Sequence, residues 1–240
     1  MTANGKQKFP MVNNAVGLLS KRGPDVQHVY SDGNICLGHA RLSVIDLSDS
    51  ASQPLHDSSG RYTIIYNGEV YNYRQLRGKL LDKGYQFKTN SDTEVILYQY
   101  ISDGPKCLDK LVGFFAFAIY DKQEDVLFIA RDRMGQKPLL YYQGHDYFAF
   151  ASEMKALMAL NVPRKIDMAS LCAYLQFNYI PSPNCIFQNV HKLNPGHYLE
   201  VRNGQVKEVR YYSIPYNYSN LEVVDYEDAK HSLYFADNVI

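Results

Sequence analysis

Apolar positions along the chain recur with two different periods. Between residues 9 and 20 they fall at Met11, Val12, Ala15, Val16, Leu18 and Leu19, one face of a short helix. Arg22-Gly23-Pro24 predicts its stop, because Gly suits a left-handed cap and Pro cannot continue a helix. Strand-like runs follow at residues 26–30, 35–40 and 61–66. Two helices are predicted next, one over about residues 73–83, one from Ser91-Asp92-Thr93-Glu94 to about residue 102. Strands return at residues 114–120, 126–130, 139–142 and 147–151, joined by turns rich in Asp, Gly or Lys, the pattern of antiparallel hairpins. Helical patterns at residues 153–160 and 167–177 precede a loop with Pro181 and Pro183. A last hairpin pairs residues 198–201 with 206–211 through Asn203-Gly204.

The run Phe114-Phe115-Ala116-Phe117-Ala118-Ile119 is apolar on both faces, so it belongs inside a layered structure. Antiparallel strands with two central helices predict an α+β sandwich rather than a doubly wound parallel sheet. At 240 residues the chain can bury a core without disulfides or metals. Lys+Arg and Asp+Glu both number 25, so the net charge is zero, which argues against nucleic acid or an anionic membrane as a main partner. The 21 Tyr against no Trp favour strands and half-exposed packing surfaces. Cys36, Cys107, Cys172 and Cys185 lie too far apart for a zinc site or a disulfide framework. The opening MTANGKQKFP has no apolar signal region, and no run of about 18 apolar residues occurs, so a cytoplasmic protein with reduced thiols is expected.

Four stretches carry candidate chemistry. In Tyr66-Asn67-Gly68-Glu69 a β-run meets Asn-Gly, which reads either as a hairpin turn or as a side-chain amide and an open backbone N–H forming an oxyanion hole. Arg41, inside an apolar run after Gly38-His39, needs a carboxylate: an internal Asp such as Asp46, or a ligand held bidentately. Asp92 stands in the first turn of a helix begun by Ser91, where a carboxylate is favoured by the helix dipole. Arg131-Asp132-Arg133 reads as a charged turn with its own salt bridges.

Taken in order, these motifs, with Arg22-Gly23-Pro24-Asp25, Arg41-Leu42-Ser43, Tyr71-Asn72, Gly113 and Ala151-Ser152-Glu153, closely resemble one family over roughly residues 9–235. It is the glutaminase (class II glutamine amidotransferase) domain of glutamine-hydrolysing asparagine synthetases. The resemblance implies a four-layer αββα N-terminal-nucleophile hydrolase fold of two antiparallel sheets. It implies that an N-terminal Cys attacks the glutamine side-chain carbonyl, with its own α-amino group as base, which titrates near neutrality. It further implies that Arg41 clamps the glutamine α-carboxylate, that Asp92 pairs its α-ammonium, that Asn67 and Gly68 form the oxyanion hole, and that Glu69 and the backbone around Val44 help hold the substrate.

The chain departs from that family at both ends. Met1-Thr2-Ala3-Asn4 stands where the family has Met-Cys-Gly-Ile and a short strand, so the first strand and the nucleophile are both expected to be missing. The four cysteines are expected to be inert core residues, and Thr2 lacks a strand to place it. A sheet lacking its edge strand invites pairing with a second copy. The Ser-Gly-Gly-x-Asp-Ser phosphate loop of the family's ATP-pyrophosphatase domain is absent, so no cofactor is expected in this chain, ATP and Mg belonging to the synthetase domain alone. The resulting division is an altered N-terminus at 1–8, an amidotransferase domain at 9–212, and a linker at 213–240 that includes a helix over residues 226–233. The expected partners are glutamine and a synthetase domain, with no metal. Two rival readings stay open: a non-catalytic glutamine-binding or docking module, and an amidotransferase feeding a different acceptor.

Overall fold

The computed structural model describes residues 8–42, 46, 48–214, 225–228 and 230. Helix α1 (Phe9–Gly17) leads into the hairpin β1 (Val26–Asp32) and β2 (Ile35–Arg41). A short β3 (Leu55–His56) and a long β4 (Tyr62–Val70) precede α2 (Tyr73–Asp82) and α3 (Asp92–Asp103). Strands β5 (Gly113–Asp121), β6 (Val126–Arg131), β7 (Leu140–Gln143) and β8 (Phe148–Ala151) follow. Then come α4 (Met154–Met158), α5 (Met168–Phe177), β9 (Val190–Lys192), β10 (His197–Arg202) and β11 (Gln205–Arg210).

Strand β5 organises the layers because its side chains alternate in size as well as in direction. Phe115, Phe117 and Ile119 enter one core with Leu76 and Leu80 of α2 and Val95, Ile96 and Leu97 of α3. Ala116, Ala118 and Tyr120 enter a second core with Ile35 and Leu37 of β2 and Tyr141 of β7. A period of two thus sends bulky rings to the helices and mostly small residues to the facing sheets. The central sheet is antiparallel throughout, in the order β11-β10-β6-β5-β4-β3. On the outer side α1 packs over β1 and β2 and α4 over β7 and β8, with Ala15, Ala156, Leu157 and Ala149 in a third core. The four layers are therefore helices, six-stranded sheet, second strand layer, helices.

The second strand layer differs from the single sheet expected. It consists of two pieces, β1-β2 and β8-β7-β9. Among the described residues β2 pairs only with β1, and β8 only with β7. Gly38 in β2 explains how close α1 lies: a Cβ there would stand 2.3 Å from Val16 Cγ2 and 3.0 Å from Val12 Cγ1. Helix α1 ends at Gly17, earlier than the apolar pattern suggested, and α4 is shorter than its pattern at both ends. Of the expected linker helix only residues 226–228 and 230 are described, and they are helical.

Candidate active site

Arg41 and Asp92 reach one cavity from different elements. The cavity, of about 580 Å³, is lined by both residues together with His39, Asn67, Gly68 and Glu69, as well as by parts of α1 and β8. Both sheet edges of the split layer, β2 and β8, also face it. Of the site residues expected from sequence, Val44 lies outside the described residues, and the rest meet here.

Arg41 ends β2 and is buried. Its guanidinium does not pair with an internal carboxylate among the described residues. Instead Nη1 donates to the Ser48 carbonyl at 3.1 Å and to Ser52 Oγ at 3.2 Å, and Nη2 donates to the Asp46 main-chain carbonyl. The Asp46 carboxylate turns the other way. It accepts from Ser48 N at 2.9 Å, Ser48 Oγ at 2.6 Å and Asn90 N at 2.9 Å, and these bonds, Ser48 first, hold it below its ordinary pKa. The loop after Arg41 is thereby tied to the segment that starts α3.

Asp92 owes its position to the Ser91 N-cap and to the Glu94 carboxylate that ties down the preceding loop. Ser91 Oγ accepts from Glu94 N at 3.4 Å, while the Glu94 carboxylate takes Lys88 N at 2.9 Å and Thr89 N at 2.8 Å. With Ser91 doing the capping, Asp92 is released to face β4. Its Oδ2 accepts from the Tyr66 hydroxyl at 2.8 Å and from Val70 N at 3.2 Å. Burial raises the Asp92 pKa, against the lowering effect of these hydrogen bonds. A buried carboxylate of this kind gains when a cation arrives beside it.

Asn67 and Gly68 are not in a turn. Strand β4 runs on to Val70, with Asn67 opposite Ala116 and Gly68 opposite Phe115. The Asn-Gly signal is overridden because β5 offers a full-length partner. Gly is required at 68 by crowding: a Cβ would lie 2.2 Å from the Phe114 carbonyl oxygen and 2.7 Å from Phe115 Cα. The Asn67 side chain and the Gly68 backbone therefore border the cavity from a rigid central strand.

Three groups at this site carry no signal in the sequence strong enough to assign them. Gln53 accepts from Tyr66 N at 2.6 Å through Oε1 and donates to Thr93 Oγ1 at 3.3 Å, bracing β4 against α3. Tyr66 holds Asp92, as above. His39 Nε2 lies 3.0 Å from the Tyr66 carbonyl. A carbonyl only accepts, so Nε2 carries the proton and Nδ1 is an acceptor, buried and without a partner among the described residues. Burial, followed by the opposing pull of the Tyr66 carbonyl and then repulsion from Arg41, brings the His39 pKa down to about 4.

The cysteines correct one expectation. Cys107 and Cys185 are buried, but Cys36 is only half-buried and lines the cavity, and Cys172 is exposed on α5. Burial pushes the Cys36 thiol up to about 11 and that of Cys107 higher still. Arg131-Asp132-Arg133 also differs from a turn of internal salt bridges. Arg131 donates to the Lys137, Gly135 and Leu193 carbonyls, and Asp132 accepts backbone N–H groups. Among the described residues no group of His, Cys, Asp and Glu could hold a metal ion, and no helix is long and apolar enough to cross a membrane.

Fold and site together define a four-layer αββα sandwich with a polar-lined cavity, and comparison with known proteins gives its family. The family described as "Glutamine amidotransferase domain" matches residues 1–212, and the chain belongs to it. Among relatives, "Asparagine synthetase [glutamine-hydrolyzing] 1" of Bacillus subtilis (strain 168) is 39% identical over 201 residues, covering 84% of this chain and 31% of that protein. "Asparagine synthetase [glutamine-hydrolyzing] 3" of the same organism is 36% identical over 225 residues, covering 92% of this chain and 34% of that protein. The chain thus spans about a third of the length of these relatives. A solved structure, that of the allosteric regulatory enzyme of purine biosynthesis, superposes with a TM-score of 0.60 at 22% identity, covering 85% of this chain and 46% of that one. At that identity the likeness concerns the fold.

Proposed function

We propose that the cavity binds L-glutamine, and that the domain serves as the ammonia-supplying half of a larger glutamine-hydrolysing ligase of the asparagine synthetase type. The observation that carries this reading is the convergence of buried Arg41 and buried Asp92 on one cavity bordered by Asn67 and Gly68. A free amino acid presents one carboxylate and one ammonium on the same carbon. Arg41 takes the carboxylate: its described contacts use three of five guanidinium protons, and the remaining two form the fork that a carboxylate fits. Asp92 takes the ammonium, and the arriving charge offsets the burial that raises its pKa. The side-chain amide then lies towards Asn67 and Gly68. When a thiolate adds to that carbonyl, the N–H groups of these two residues stabilise the oxyanion, ammonia leaves, and water releases glutamate from the thioester. Glu69, at the exposed rim, contributes to holding the ligand. On this reading the ammonia serves the ATP-dependent amidation of aspartate, carried out by another domain of the larger ligase.

For the 240-residue chain itself the reading is glutamine binding without turnover, because burial pushes the thiol of Cys36, the cysteine that lines the cavity, up to about 11. The assay is ammonia release from glutamine. No release above buffer is expected, and a rate lost on Thr2→Ala would revive Thr2 as nucleophile. Glutamine binding by calorimetry should weaken ten- to a hundredfold in Arg41→Ala, the range for losing a charge-assisted hydrogen bond of about 1.5–3 kcal/mol. Unchanged affinity would overturn the assignment. Binding should also fall on acidification at a pH above the usual aspartate range, because the raised Asp92 must be ionised to hold an ammonium. In Asp92→Asn that pH dependence should vanish along with most of the affinity.

A further inference from the structure

Residues 168–190 contain no Asp, Glu, Lys or Arg, in a chain that is 21% charged. Within this stretch α5 is apolar yet buries almost nothing: Ser170 is its one buried residue. Leu175 is 72% exposed, Met168 63%, Phe177 52% and nearby Tyr179 61%. A helix that is hydrophobic on every side belongs inside a larger protein, and such a helix gains little from propensity alone. It is not the amphipathic kind that lies on membranes, which carries Lys and Arg on a polar face.

The helix is capped at both ends, and the residues that flank it are bonded to neighbouring segments. Asp167 caps its start by accepting from Ser170 N at 2.9 Å, and Asn178, in the left-handed region, closes its end with a bond to the Tyr174 carbonyl at 2.8 Å. Asp167 N donates to the Ile186 carbonyl at 2.9 Å, and Lys192 Nζ to the Ile180 carbonyl at 2.6 Å. An apolar ledge is therefore fixed on the domain surface.

Its position relative to the end of the domain indicates what covers it. Ser182 Oγ donates to Asn194 Oδ1 at 3.0 Å, and Asn194 lies two residues before Gly196. The Gly196 carbonyl in turn accepts from Tyr211 N at 2.9 Å and Tyr212 N at 3.2 Å. The family match ends at residue 212, so the end of the matched region lies beside the loop that follows α5. The Bacillus relatives, of which this chain covers 31% and 34%, carry most of their length outside the matched region.

We propose that the uncharged ledge of α5 and Tyr179 is the docking face for the domain that accompanies this one in its full-length relatives. This rests on the reading of the chain as the amidotransferase portion of a larger ligase. The face provides contact without charge pairing, with Leu175, Phe177 and Tyr179 as its apolar anchors.

The test compares the 240-residue chain with a fusion in which residues 1–212 replace the matching part of the B. subtilis asparagine synthetase that is 39% identical. Amide hydrogen exchange over residues 168–179 should be at least tenfold slower in the fusion. Leu175→Glu combined with Phe177→Glu should leave the thermal midpoint of the isolated chain unchanged, since both side chains are exposed there, and should remove the extra protection in the fusion. Equal exchange in the two forms would overturn the proposal. Sedimentation of the isolated chain keeps the question decidable if the fusion does not fold. A monomer with fast exchange at 168–179 supports the proposal, and a dimer already protecting those residues assigns the ledge to a second copy and overturns it. Failure of glutamine to bind would refute the proposed ligand while leaving these exchange results as they are.

Discussion

Asp132→Ala should lower folding stability by about 3–5 kcal/mol, the cost of removing a buried partner from charge-assisted hydrogen bonds. Asp132 is 1% exposed, and its carboxylate accepts Met134 N at 3.1 Å, Gln136 N at 3.0 Å, Lys137 N at 3.0 Å and Phe115 N at 3.3 Å. Alanine would leave these donors without their acceptor, the buried Phe115 N–H among them. Urea denaturation should show a lower midpoint with an unchanged slope, the sign of lost stability without a change in exposed surface. Asp132→Asn, which keeps one accepting oxygen, should recover part of the loss. A drop of less than about 1 kcal/mol for alanine would mean that the turn relaxes to find water, and the packing account would be wrong.

His39 should make the fold less stable as pH falls from 6.5 towards 4. Its folded pKa, about 4, lies below the ordinary 6.5, so between those values the unfolded chain binds a proton that the folded chain refuses. Stability is therefore full above pH 6.5 and declines on acidification, by about 3 kcal/mol in all if the pKa difference of the two states is realised. His56, also lowered chiefly by burial, acts in the same direction. Unfolding free energies measured at pH 7 and pH 4.5 should separate clearly in the parent chain. His39→Gln retains a donor for the Tyr66 carbonyl but cannot titrate, and its pH slope should be much shallower. An equal slope in both proteins would exclude His39 as the source.

The elements that could be read from the sequence are those in which local pattern and tertiary packing agree. The helices α2 and α3 and the strands β5, β6 and β10 lie close to their predicted positions, because period and end signals coincide with the faces that become buried. Short pieces such as β3 and β9 were missed, since two or three residues hold no period. At Asn67-Gly68 a strong turn signal lost to nine residues of pairing with β5. At Arg41 a charge in an apolar run calls for a carboxylate, but its described partners are mostly main-chain carbonyls, which no sequence pattern announces. Arg131 repeats that lesson with three carbonyls. The site was legible largely as a resemblance, because Arg41, Asn67 and Asp92 become neighbours only through the layering of sheets.

The order of the central sheet has a consequence for how the domain is made. Strand β10 pairs with β6 on one side and β11 on the other, so Tyr198 meets Ala130, far back along the chain. Chains emerge from the ribosome N-terminus first, and β6 is then synthesised well before the strand that covers its open side. Until Arg202, the end of β10, is released, Phe128 and Ile129 belong to an incomplete sheet edge. The domain is therefore expected to fold late and as one unit, slowed by this distant pairing. During that interval the unfinished edge of β6 is the part of the nascent chain most in need of protection.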